Sequence, residues 1–168
     1  MREMRKAAAA VAMALLATSV AMAEPPEPSV ILESGGAGQW GLHGRSAFGP
    51  NFGAETTPIP GLLELEADVT PFMSRGQTEW DSDFLFKKPF DLNRSLEFMI
   101  GVGPEWGHTV THAGTSDDFG MTVAGDFMFW PMRERRWGFY LEPAYGYGFG
   151  RDHEQSINVS FGLLIPIR

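Results

Sequence analysis

The chain has 168 residues, 13 Lys and Arg against 21 Asp and Glu, a net charge of −8, and no cysteine. Such acidity disfavours nucleic acid, whose phosphates are recruited by clustered Lys and Arg, and the missing thiols exclude disulfides, thiolate metal sites and cysteine nucleophiles together. Twenty glycines and thirteen phenylalanines favour an all-β chain of a single domain.

Residues 1–23 read as a signal peptide. Arg2, Arg5 and Lys6 give a basic start, Ala7 to Val20 an apolar stretch, and Ala21-Met22-Ala23 the small-x-small form that signal peptidase reads. The stretch is shorter than the roughly 20 apolar residues that a membrane-crossing helix needs, and no later run of that length occurs. Cleavage after Ala23 removes three bases and one acid, leaving 10 Lys and Arg against 20 Asp and Glu and a net charge of −10.

Residues 24–61 form an N-terminal segment with up to two strands. Ser29 to Glu33 reads as one, Gly35-Gly36-Ala37-Gly38 as a turn, and Gln39 to Phe48 as the other. Residues 49–61, with Pro50, Pro58 and Pro60, read as an irregular connection, because proline removes ladder donors.

Residues 62–168 carry the main strands. In Leu63-Glu64-Leu65-Glu66-Ala67-Asp68-Val69 the odd positions are apolar and the even ones acidic, and Trp80-Asp81-Ser82-Asp83-Phe84-Leu85-Phe86 continues the split with the parity reversed. Leu96 to Gly103, Phe119 to Trp130, Trp137 to Phe149 and Ile157 to Ile165 set aromatic and aliphatic residues against glycine, alanine, threonine and acids. Period-2 alternation puts each set on its own face of a strand. The expected fold is a single antiparallel up-and-down β-barrel, eight-stranded if both N-terminal strands form.

Two barrels fit, each the other turned inside out. In a soluble lipocalin-like carrier of an apolar ligand, the aromatic face lines the interior. In an outer-membrane barrel that face meets lipid, and Glu64, Glu66, Asp68, Asp81, Asp83, Glu97, Asp126 and Glu142 face the lumen. Strand-end tryptophans favour the second: Trp80, Trp106, Trp130 and Trp137 have the placement of an interfacial girdle. Eight strands then bring both termini to the periplasmic side. Connections 35–38, 71–78, 104–118 and 150–155 face outward, and 49–61, 87–94 and 131–136 face the periplasm. Lys87 and the arginines sit mostly at turns, so the lumen is expected to be hydrated, or completed by Arg45 or Arg75.

On this pattern the mature chain from about Gln39 onward resembles the small eight-stranded outer-membrane barrels of Gram-negative bacteria. Leu96-Glu97-Phe98-Met99-Ile100-Gly101-Val102-Gly103-Pro104-Glu105-Trp106, Asp126-Phe127-Met128-Phe129-Trp130-Pro131 and Tyr140-Leu141-Glu142-Pro143 are similar to stretches of uncharacterised exported proteobacterial proteins. The resemblance implies an outer-membrane protein of structural or surface-interaction type, with lipid as its surroundings and loop 104–118 as the segment that meets an extracellular partner. Such barrels commonly end on an aromatic residue, whereas this chain ends Ile165-Pro166-Ile167-Arg168. Some relatives of that architecture are lipid A acyltransferases and deacylases, but none of their local motifs is matched here, and no enzyme is expected.

No cofactor or metal is expected either. His108 and His112 lie four apart near Asp117 and Asp118, but two histidines without a full ligand set read as solvated loop residues. Arg151-Asp152-His153-Glu154-Gln155-Ser156 holds Ser, His and Asp side by side, and adjacency in sequence is not triad geometry.

Overall fold

Eight alternating segments make eight strands in the computed structural model, which describes residues 30–42, 44–132, 134–150 and 153–167. They are β1 (Val30–Gly41), β2 (Ser46–Ile59), β3 (Leu63–Ser74), β4 (Gln77–Asn93), β5 (Leu96–Thr111), β6 (Gly114–Phe129), β7 (Gly138–Gly148) and β8 (Gln155–Ile167). Each pairs antiparallel with the next, and β1 pairs with β8 from Val30 opposite Ile167 to Gly41 opposite Ser156, closing the barrel. Closure leaves no unpaired sheet edge along the wall. Residues 30 and 167 share one end with the connections that follow β2, β4 and β6; those that follow β1, β3, β5 and β7 lie at the other. The signal-peptide reading of residues 1–23 lies outside the described residues.

The N-terminal segment is more regular than its glycines and prolines suggest. The expected turn at 35–38 is the middle of β1, and the expected connection at 49–61 is most of β2. Gly35 sits opposite Gly162 of β8, and a Cβ on Gly35 would strike the Phe161 carbonyl and the Gly162 Cα, so glycine there permits a close backbone approach. The prolines are accommodated by register. Pairing of β2 with β3 lapses between Phe48 opposite Met73 and Phe52 opposite Val69, which sets Pro50 opposite Pro71. Two residues that lack an N–H thus share one seam and leave the ladders on their other sides intact.

The segments 71–78, 87–94 and 104–118, expected as connections, are largely strand as well. β4 and β5 pair up to Gln77 opposite Thr111, and β5 and β6 up to Thr111 opposite Gly114, so residues 104–118 form a hairpin turning at His112-Ala113 rather than a long loop. Strands β4, β5 and β6 have 17, 16 and 16 residues, more than the roughly 9–11 that a tilted membrane strand uses; residues 114–119 of β6 lie beyond the last β6–β7 pair at the end away from the termini, and residues 88–93 of β4 lie beyond the last β3–β4 pair at the other.

The faces divide as the alternation requires. Outward stand Phe84, Phe86, Ile100, Val102, Val123, Phe127, Phe139, Leu141, Phe161 and Leu163, all exposed. Inward stand acids, small residues and a short apolar layer of Ile31, Met99, Met128, Trp130, Tyr140 and Leu164.

Candidate functional site: a carboxylate-lined lumen

The inward parity of β3, β4, β5, β6 and β7 brings all eight expected acids to the interior. Glu64, Glu66, Asp81, Glu97, Asp126 and Glu142 are buried, and Asp68 and Asp83 are half-buried beside them. β1 and β2 add two acids that the weak strand signal of residues 24–61 concealed, Glu33 and Glu55, both buried. Oxygens of Glu33, Glu55, Glu66 and Asp126 lie within 4.8 Å of one another, as do those of Glu66, Asp68 and Glu142.

The counter-charge is Lys87, not the arginines. Its ammonium donates to Glu66, to Asp126 Oδ2 at 3.1 Å and to Glu142 Oε2 at 2.5 Å, and stands 3.8 Å from Glu55 Oε2. The side chain is fully buried. Placing Lys87 at a turn was incorrect because β4 continues to Asn93, and on that strand Asp81, Asp83, Leu85 and Lys87 share one parity. Gly101 lies directly opposite on β5, where a Cβ would come 2.7 Å from Lys87 Cγ; its hydrogen makes room for the lysine stem. Arg45 and Arg75 stand exposed at the rim away from the termini, where both line an open cavity of about 490 Å³ with Glu79, Glu105, Asp118 and Glu154.

One girdle residue is corrected. Trp80, Trp106 and Trp137 face outward with 46%, 44% and 40% of their surface exposed, whereas Trp130 is 1% exposed and points into the barrel. It follows Asp126 and Met128 on the inward parity of β6, its indole Nε1 donates to Glu97 Oε2 at 2.7 Å, and Arg135 lies over its ring at 5.5 Å while reaching the same carboxylate at 3.1 Å. Together these three cap the lumen at the end bearing the termini. Trp40, exposed and packed edge-on to Phe48 at 5.7 Å, is an outward tryptophan that the girdle reading missed.

Tyr140 crosses the lumen from β7: its hydroxyl donates to Asn51 Oδ1 of β2, and Asn51 Nδ2 donates to Thr70 Oγ1 at 2.9 Å. At the opposite rim His108 Nδ1 is 2.8 Å from Asp117 Oδ1, which also accepts from Trp106 Nε1 at 3.1 Å. The His108 bond, and secondarily that from Trp106, holds the Asp117 carboxyl below its ordinary range. His112 sits at the hairpin turn between β5 and β6, beyond the His108–Asp117 pair. His153 stacks on Tyr147 with ring centroids 5.7 Å apart; Arg151 and Asp152 lie outside the described residues.

No family model matches the sequence, and no curated relative does either. Solved structures do match the fold. Neisserial surface protein A is 14% identical with a TM-score of 0.65, over 82% of this chain and 96% of that one. The N-terminal β-barrel domain of Pseudomonas aeruginosa OprF is 11% identical with a TM-score of 0.60, over 83% and 98%. Ail, the attachment invasion locus protein of Yersinia pestis, is 10% identical with a TM-score of 0.54, over 83% and 98%, and a further Ail structure holds the heparin analogue sucrose octasulfate. At these identities the likeness is one of fold: a closed eight-stranded antiparallel barrel of the kind that small outer-membrane proteins adopt.

Proposed function

We propose that this protein is an outer-membrane barrel of structural or surface-interaction type, without catalytic activity, whose filled lumen conducts no solute. One observation carries the reading: an apolar, aromatic coat with tryptophans at its rims surrounds a lumen of buried acids fixed on one lysine. A carrier of apolar ligands requires the opposite arrangement. In water this coat would expose far more contiguous apolar surface than soluble monomers tolerate, whereas in a bilayer the same coat is solvated by lipid.

The interaction surface is the end away from the termini, where the β5–β6 hairpin rises to His112-Ala113. Among the described residues that end carries Glu79, Glu105, Asp117, Asp118 and Glu154 against Arg45 and Arg75. That balance disfavours a sulfated polyanion such as the ligand held by Ail and suits a neutral or cationic partner.

Cell fractionation tests the location. The mature protein should sediment with outer membranes, dissolve only in detergent, and migrate faster on gels unheated than boiled. Recovery in the soluble periplasm after osmotic release, without detergent, overturns the proposal.

A further inference from the structure

The outward face carries one feature that an apolar coat does not require. Strand register sets Trp80 of β4 opposite His108 of β5, and His108 opposite Asp117 of β6, so the three form one row across the wall. One step nearer the termini Trp106 stands opposite Phe119, and both are exposed on the same face. His108 and Asp117 therefore stand just above the level at which the apolar coat ends. That level is where indole rings meet lipid headgroups.

The Asp117 carboxylate is oriented through one oxygen only. Oδ1 accepts from Trp106 Nε1 and lies within hydrogen-bond distance of His108 Nδ1, while Oδ2 meets no donor among the described residues and about half of the side chain (53%) is open to its surroundings. A carboxylate already held in place binds a cation at a smaller ordering cost than a free one. Among the described residues no Lys or Arg stands on the outward face at this level, since Arg45 and Arg75 line the open mouth instead. The chemistry left open is thus that of a cation and not of a phosphate. A single free oxygen cannot take a guanidinium in its two-pronged geometry, whereas an ammonium needs one acceptor and gains further from the faces of exposed indoles. The row faces sideways, along the plane of the membrane, so the ammonium within its reach is one carried by a lipid. We propose, resting on the outer-membrane reading, that Asp117, held by Trp106 and His108 and flanked by Trp80, binds the ammonium of an amine-bearing lipid headgroup.

The test uses the full mature barrel in bilayer discs of phosphatidylglycerol, which has no amine, with phosphatidylethanolamine titrated in. The indole N–H resonance of Trp106 is the readout, and that of Trp137, at the other end of the barrel, is the reference. The Trp106 resonance should shift saturably with the fraction of amine lipid while that of Trp137 does not. Asp117→Asn keeps an Oδ1 acceptor but loses the charge, and should raise the half-saturating lipid fraction at least fivefold. Should that variant not fold, Trp80→Leu, which leaves the bonds to Asp117 in place, must raise it severalfold. A response unchanged by these substitutions, or a Trp106 resonance no more responsive than that of Trp137, overturns the assignment. So does a shift produced by a tetralysine peptide in octyl glucoside micelles but by no lipid, which would make the row a site for a protein partner. A barrel that inserts into no disc of either composition fails the outer-membrane reading, and this proposal with it; an inserted barrel with an indifferent Trp106 fails this proposal alone.

Discussion

Replacing Lys87 by Met keeps most of the stem and removes the charge at the centre of the lumen. The ammonium faces four carboxylates, those of Glu55, Glu66, Asp126 and Glu142, and hydrogen-bonds three of them. Removing one partner of a buried ion pair costs about 3–5 kcal/mol, because the remaining charge is left uncompensated in a poorly solvated site. The variant should therefore lose roughly two to four orders of magnitude in its folding equilibrium at neutral pH. Urea unfolding in lipid vesicles, followed by the mobility difference between folded and unfolded barrel, measures this. Arg75→Met, at an exposed turn, serves as the control and should move stability by less than about 0.5 kcal/mol. Adding Glu66→Gln to the Lys87→Met background should recover at least about 1 kcal/mol, since it removes one of the stranded charges. A Lys87→Met barrel as stable as the wild type, or one that Glu66→Gln does not improve, would refute the ionic account of the lumen.

Four further outcomes follow from the same geometry. Single-tryptophan variants reconstituted with brominated lipid should show quenching at Trp80, Trp106 and Trp137 and little at Trp130, which faces Glu97 inside the barrel; equal quenching of all four would place Trp130 on the lipid face. Val102→Arg, on the outward face of β5, should cost about 2–4 kcal/mol in bilayers, while the same change at Thr111 beside the hairpin turn should be close to neutral; equal effects at the two sites would count against a membrane span. Gly162→Ala would bring a Cβ against the Gly35 Cα, the Ser34 carbonyl and the Tyr140 ring, and should destabilise by about 1–3 kcal/mol as overpacking, with unfolding midpoints as the readout. The Asp117 carboxyl, depressed by the His108 bond, makes its contribution above the ordinary aspartate range near 3.8 and loses it only as pH falls below that range; the Trp106 indole N–H resonance should therefore hold its position down to that range and shift beneath it, and a shift completed at higher pH would contradict the pairing.

Parity carried most of what the sequence made legible. The acids that alternation sets on one face are buried or half-buried together, because a strand offers its side chains only two directions. The two errors in the lumen arose where position near a turn was weighed above parity. Trp130 shares its even number with Asp126 and Met128, and Lys87 its odd number with Asp81 and Asp83, so each was assignable from its own strand. The N-terminal strands were illegible for a different reason. Gly35, Gly36 and Gly38 dilute the alternation, and the match of Pro50 with Pro71 is visible only once the β2–β3 register is known. Glu33 and Glu55 were lost with those strands.

An interior of this kind is not the most stable one available, since well-packed apolar side chains often replace buried ion pairs at no cost. Its benefit lies in register. A slip of one residue between neighbouring strands would carry a whole row of acids to the outer apolar face and a row of phenylalanines into the lumen. On β3 it would expose Glu64, Glu66 and Asp68 together, and on β4 Asp81, Asp83 and Lys87. A barrel lined with alanine and leucine would impose no comparable penalty, because both of its faces would be apolar. The carboxylate lumen thus specifies a single pairing for strands whose glycines and prolines would otherwise leave it loose, and Lys87, reaching acids on β2, β3, β6 and β7, ties that choice across the barrel.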